Sequence, residues 1–393
     1  MTEKIIGLEL AYKTSNYGAQ LQAYATQQII KRMGFKTRII NMKKSSYLDT
    51  HILGPGVLYN SYLAYKATQK RKKTRVNISD DIYLTNRAKR KEASASFIHD
   101  RLTDIVDYSS CKALADDAQN FVAALIGSDQ KWLPGACYGK VAALSFAPKG
   151  VRRISYATSL GVSEYPRYCW YMSRKMWNNI DFLSVREQQG ADIIKQICGD
   201  IPIEVVVDPT YLLTKEEWKE LIPLEKKLNE RYLFCYFLGN NDESKRCAKR
   251  YAEKYGLKLV SIMSDESYSP YDKEYADVLV QGERPEDFIN WIRGSEIVFT
   301  DSFHGTAFSV INEKQFFVFY RKRLDAKQSR NSRIDNILSK WNLKDRLITD
   351  NEIDWNFYDL EMIDYNKVKS ILGVEREKSL TFLNKALHFD ENK

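Results

Sequence analysis

The side chains best suited to chemistry sit in one short run, Thr300-Asp301-Ser302-Phe303-His304-Gly305-Thr306. An apolar stretch over 296–300 precedes it and a helical stretch over 307–312 follows. Backbone N–H groups at a helix start hold anions, and the hydroxyls of Ser302 and Thr306 can add donors. Gly305 permits close backbone approach. His304 can donate to an anion or carry a proton near neutral pH, and Asp301 is a candidate acceptor for a hydroxyl proton. The plainer reading is a strand-to-helix turn, capped by Asp or Ser, with a histidine satisfied by local backbone.

Other segments offer matching functions. Arg186, in Ser184-Val185-Arg186-Glu187, follows an apolar run and suits two-pronged binding of carboxylate or phosphate; a surface Arg–Glu pair is the alternative. Arg321, Lys322 and Arg323, then Arg330 and Arg333, follow another apolar run closely and fit an anion clamp or a solvated loop. Asn16-Tyr17-Gly18 and Gly127-Ser128-Asp129-Gln130 are polar loops suited to sugar hydroxyls or to turn formation. Asp129 is a second candidate base. Asp208-Pro209-Thr210 reads as structural, with proline fixing a crossover.

Positioning these loops requires strands that end beside them. Apolar runs at 4–10, 37–41, 121–126, 153–157, 181–185 and 204–207 alternate with helical patterns such as 19–33. After a charged linker at 215–230 the alternation restarts, with strands expected at 231–238, 258–263, 277–280, 296–300 and 315–320. Thr214 followed by Glu217 predicts a capping box. Two doubly wound α/β domains facing across a cleft follow, over 1–213 and 231–364, with a helix over 365–393 crossing back. An insertion over about 44–105 breaks the rhythm and reads as partly helical.

The chain has 393 residues, 44% of them hydrophobic, enough for two packed cores. The net charge is +9, and the segment 66–92 holds ten Lys/Arg against three acids. That run suits a solvated helix or a basic patch facing anionic headgroups; no nucleic-acid module accompanies it. The six Cys show no C-x-x-C spacing and the four His are dispersed, so no zinc site is expected. The start MTEKIIGLEL has no secretory pattern and no apolar run is long enough to span a bilayer, which predicts a cytoplasmic protein. Dinucleotide, P-loop and hydrolase-elbow glycine motifs are absent.

Taken in order, Asn16-Tyr17-Gly18 with Leu21-Gln22-Ala23-Tyr24-Ala25, Gly127-Ser128-Asp129-Gln130 with Trp132, Ser155-Tyr156-Ala157, Ser184-Val185-Arg186-Glu187, Asp208-Pro209-Thr210, the His304 loop, Asn331-Ser332-Arg333-Ile334 and Asp345-Arg346-Leu347 resemble the polysaccharide pyruvyl transferases. The resemblance implies a glycosyltransferase-B-like pair of Rossmann-like domains, phosphoenolpyruvate as donor, and neither metal nor cofactor. It implies donor contacts from Arg186 and His304 and from one downstream base among Arg321, Lys322, Arg323, Arg330 and Arg333. With the donor would sit Ser302, Gly305 and Thr306; with a saccharide acceptor, sometimes polyprenyl-diphosphate-linked, would sit Asn16, Tyr17, Gly18, Ser128, Asp129 and Gln130. The basic segment 66–91 is outside the resembling pattern and would suit peripheral membrane contact. A nucleotide-sugar glycosyltransferase of the same fold and a non-catalytic binder of anionic glycans are the competing readings.

Overall fold

The computed structural model describes residues 4–43, 47–54, 56–76, 80–321, 332–349 and 361–388. Two parallel sheets organise them. The first has the order β3-β2-β1-β4-β5, from β1 (Ile5–Glu9), β2 (Lys36–Met42), β3 (Ile105–Tyr108), β4 (Phe121–Ile126) and β5 (Arg152–Ser155). Next to β5 lie β6 (Ser184–Val185) and β7 (Glu204–Val205), joined to it by parallel bridges at Ile154–Phe182 and Thr158–Val185. The second sheet runs β10-β9-β8-β11-β12-β13, from β8 (Tyr232–Tyr236), β9 (Lys258–Ile262), β10 (Val278–Val280), β11 (Ile297–Thr300), β12 (Gln315–Phe319) and β13 (Leu347–Ile348).

The two sheets share one winding. Each starts in the middle, runs to one edge, then returns across its first strand. The loops after its first and fourth strands therefore splay apart and open a crevice at the carboxyl edge. The central strands β1, β4, β8 and β11 are near-continuous apolar runs because helices cover both faces. This is the expected pair of doubly wound α/β sheets. The run over 181–185 contributes only Ser184–Val185 as strand, since Asp181 and Phe182 spend their backbone N–H groups on Arg153.

Each lobe has a core of its own, and a third core spans both. Ile6, Leu8 and Tyr17 belong to the same buried apolar body as Tyr236, Phe288 and Val298. The helix Tyr365–Leu387 lies on the N-terminal lobe: Arg376 Nε donates to the Tyr211 carbonyl at 2.7 Å, and Ser379 Oγ accepts from Val207 N at 3.0 Å.

The insertion holds a short helix, Tyr47–Thr50, and two long ones, Val57–Val76 and Asp81–Arg101; the last exposes Lys89 and Lys91 but buries the face that carries Tyr83, Asn86, Arg90, Ser94 and Phe97. Arg90 is fully buried. Its guanidinium lies 3.8 Å from the Tyr17 ring centroid and donates to Ser15 O (3.0 Å), Met263 O (3.2 Å) and Tyr236 Oη (3.3 Å). Asn86 adds bonds to Met263 O and Gly282 N. The helix is a strut between the lobes, and the hydrogen bonds that Arg90 and Asn86 make for it join residues 75 to 196 apart in sequence. No helix among the described residues is long and apolar enough to cross a membrane.

Candidate active site

The two carboxyl-edge crevices face each other, and His304 sits where they meet. It occupies the first turn of the helix Phe303–Ile311, which Ser302 caps by accepting from Gly305 N at 3.3 Å. On one side the ring meets the first turn of the helix Tyr17–Arg32: a Cβ placed on Gly18 would stand 2.0 Å from Nδ1. On the other side Nε2 is buried without a hydrogen-bond partner, 3.8 Å from Asp208 Oδ2.

Asp208 is the hub. One oxygen accepts from Arg186 Nη1 at 2.7 Å and from Ser128 Oγ at 2.9 Å. The other accepts from the backbone N and hydroxyl of Thr210. Burial pushes this carboxyl up, but His304 and Arg186 together outweigh it and hold it well below the usual carboxylate range. Asp208 thus stays an anion in a dry setting, facing two cationic or proton-carrying groups. Its role was missed because Asp-Pro-Thr is ordinary turn chemistry. The available signal was its place, just past a strand on the carboxyl edge.

Arg186 is buried against this hub. Its Nε donates to Glu187 at 2.9 Å, and its plane lies 4.0 Å from the Phe303 ring centroid, a cation–π contact that nothing in the sequence marked. Its Nη2 has no partner. Arg333, in the helix Ser332–Lys340, closes the far wall. With the Gln130 amide oxygen turned toward it, Gln130 accepts from Nη1 at 3.0 Å and Nη2 at 3.1 Å. Arg333 Nε is buried and unpaired. Burial, then the nearby Arg186 guanidinium, pulls Arg333 down to about 10. Asp129 stands within electrostatic reach of both guanidinium groups, at a left-handed φ of 67°, a conformation that costs energy and collects at functional sites.

Several expected contacts are spent elsewhere. The Thr306 hydroxyl donates to Ser302 O, so it closes its own helix turn. Gly305 is required by Thr300, whose Oγ1 would stand 2.3 Å from an added Cβ, not by ligand approach. Asp301 accepts from Leu238 N and Gly239 N, both at 2.7 Å, which ties β11 to the loop after β8 and leaves Asp129 as the freer candidate base. Arg321 lies 3.8 Å from Asp301 and 3.5 Å from Glu266, at the rim. Tyr17 is buried between Tyr236 and Phe288 and Asn16 donates to Glu266 at 3.1 Å, so these two act in lobe contact rather than on open groove wall. Ser128 is committed to Asp208. Lys322, Arg323 and Arg330 lie outside the described residues.

The pocket that Arg186, Asp208, Phe303 and Arg333 line with Tyr211 and Trp341 is small. A much larger cavity, about 1450 Å³, opens at the opposite sheet edge between Arg152, Asp181 and the C-terminal helix. Its walls mix lysines and acids without convergence, so size does not locate the chemistry here. Among the described residues no three His, Cys, Asp or Glu side chains converge as metal ligands would.

The sequence signature of the polysaccharide pyruvyl transferase family matches residues 16–323, most of the chain. None of the curated proteins matches it. Among solved structures, a UDP-N-acetylglucosamine 2-epimerase superposes with a TM-score of 0.53 at 10% identity, covering 100% of this chain and 98% of that one. The Neisseria meningitidis UDP-GlcNAc 2-epimerase bound to UDP-GlcNAc gives 0.50 at 11%, covering 97% and 100%. S. aureus MnaA with UDP gives 0.52 at 10%, covering 98% and 97%. These likenesses establish the glycosyltransferase-B fold.

Proposed function

The chain belongs to the polysaccharide pyruvyl transferase family, and on that premise we propose that it transfers the pyruvyl group of phosphoenolpyruvate to two hydroxyls of one sugar, forming a ketal and releasing phosphate. The observation that carries the donor assignment is a set of nitrogens at one cleft that make no hydrogen bond: Arg333 Nε and Arg186 Nη2, and His304 Nε2, which has only its 3.8 Å contact with Asp208. Buried donors of that kind are costly unless a ligand completes them. A small molecule bearing a carboxylate and a phosphate supplies the missing acceptors.

The chemistry balances. Protonation of the donor's methylene carbon makes a methyl group and an oxocarbenium-like centre. One sugar hydroxyl adds there, the carbon–oxygen bond to phosphate breaks, and the second hydroxyl closes the ketal. The two hydroxyl protons replace the one given to carbon and leave one on phosphate. His304 supplies the first proton, Asp129 receives a hydroxyl proton, and Arg186 and Arg333 hold the anionic groups. Asp208 fixes Arg186 and faces the imidazole. The acceptor enters from the N-terminal lobe, past Gln130, and a sugar carried on a polyprenyl diphosphate fits a cytoplasmic enzyme working at a membrane face.

The test is phosphate release from phosphoenolpyruvate with lipid-linked glycans as acceptors, for the wild type, His304→Ala and Arg186→Ala. Acceptor-dependent release lost in both variants, with a product heavier by one pyruvyl ketal, supports the reading. Turnover of UDP-sugars with phosphoenolpyruvate inert would overturn it.

A further inference from the structure

We propose that the helix Val57–Val76 is a membrane-docking element, which seats the N-terminal lobe on an anionic lipid surface. Three observations carry this independently of the reaction chemistry.

The first is composition. Over its 20 residues the helix has six Lys/Arg and no acid. The second is exposure. Leu58 (84%), Tyr62 (50%) and Tyr65 (62%) recur at helical spacing and form one stripe, with Leu53 (66%) just ahead of it. Lys66 extends its ammonium over the Tyr62 ring at 4.9 Å. A short exposed stripe of leucine and tyrosine followed by lysines suits contact with a headgroup layer, the rings lying at its edge and the lysine stems reaching to its anions. The third is attachment. Val57 is buried, and Asn60 packs so closely on Gly135 that an added Cβ would lie 2.3 Å from its Oδ1. Ile52 N donates to Tyr138 O at 2.7 Å, and His51 bridges Gly139. The base of the helix is thereby fixed to the loop that leaves β4 through Ser128, Asp129 and Gln130.

The same geometry removes one basic side chain from the region that can face lipid. Within 81–91, Arg90 is buried between the lobes while Lys89 and Lys91 stay exposed, the Lys89 backbone resting on Gly282. A second copy of the chain is a poor occupant, since pairing this helix with itself would oppose two runs of like charge. A nucleic acid would satisfy the lysines but leave the Leu58 stripe in water.

The experiment uses full-length protein and sedimentation with phosphatidylcholine vesicles, with and without phosphatidylglycerol. Binding is expected only with phosphatidylglycerol, weakening as salt rises. It should fall about tenfold or more in Leu58→Glu/Tyr62→Glu/Tyr65→Glu and in Lys66→Glu/Lys70→Glu, each charge near the surface counting at about that level. Phosphate release with a soluble acceptor should be unchanged in both variants, which separates this proposal from the assigned chemistry. Hydrogen exchange of the wild type keeps the test open if a variant misfolds: amides over 57–76 should slow on anionic vesicles. Equal binding to neutral vesicles, no binding, unslowed exchange, preferential capture of RNA, or a concentration-dependent dimer lost in the variants would each overturn the proposal.

Discussion

Gly18 and His304 touch across the lobe boundary, with no room for a methyl group between them: a Cβ on Gly18 would stand 2.0 Å from Nδ1 and 2.6 Å from the histidine Cβ. The backbone of one lobe therefore sets the ring orientation of the other. Gly18→Ala must rotate His304 or part the lobes. Turnover is expected to fall on the order of 100-fold, as a displacement of about 1 Å in a reacting group commonly causes. Steady-state kinetics with phosphoenolpyruvate would show this, and an alanine variant of full activity would remove His304 from the chemistry.

Asp208→Asn removes one of the two buried carboxylates that Arg186 pairs with, leaving Glu187 as the other. Breaking one side of such a pair costs about 3–5 kcal/mol, and urea denaturation at neutral pH should find a loss of that order. The sign with pH follows from the depressed carboxyl. Its contribution is complete above the unfolded value near 3.9 and drains as acid protonates the unfolded chain first. The gap between wild type and variant should therefore begin to narrow below about pH 4 and close only in much stronger acid.

Arg333→Gln removes a cation whose only hydrogen-bond acceptor among the described residues is Gln130. Because nothing acidic is left unpaired, the fold should hold. Dissociation of phosphoenolpyruvate, measured by calorimetry, should weaken on the order of 10- to 100-fold, the worth of one charge-assisted hydrogen bond. Unchanged affinity would place the donor elsewhere.

Glu283 lies beside the strut, next to Gly282. Burial, then the neighbouring Asp287, raises its carboxyl to about 7. Between the unfolded value near 4.3 and that level, the unfolded state releases a proton that the folded state keeps. Stability therefore falls as pH rises through this window. Glu283→Gln should melt higher than the wild type at pH above 7 and alike near pH 4, as scanning calorimetry can measure.

What could be read from the sequence was what local physics decides. The capping box at Thr214 and Glu217 has both of its bonds, because three residues of spacing specify it. β4 falls on its apolar run, 121–126. The paired sheets followed from alternation alone. Arg90 defeated that kind of reading: a lysine-rich neighbourhood predicts solvent, while its partners Ser15, Tyr236 and Met263 come from three distant segments. Asp208 was seen but underrated for the same reason, since Ser128, Arg186 and His304 meet it only after folding. The hydroxyls of Ser302 and Thr306 were overrated, because helix caps and ligand sites use the same residue types.

The shared core has a consequence for modularity. Tyr17 lies against Tyr236 and Phe288, and Arg90 threads between them, so neither lobe owns the surface that separates them. Cutting the chain in the stretch before β8 would bare an aromatic face on one fragment and strand a buried cation on the other. The halves are not interchangeable parts. A chimera that grafted another N-terminal lobe onto this C-terminal lobe would have to carry the Asp81–Arg101 helix and match its C-terminal-lobe seats, and heat should dismantle the molecule in one step rather than two.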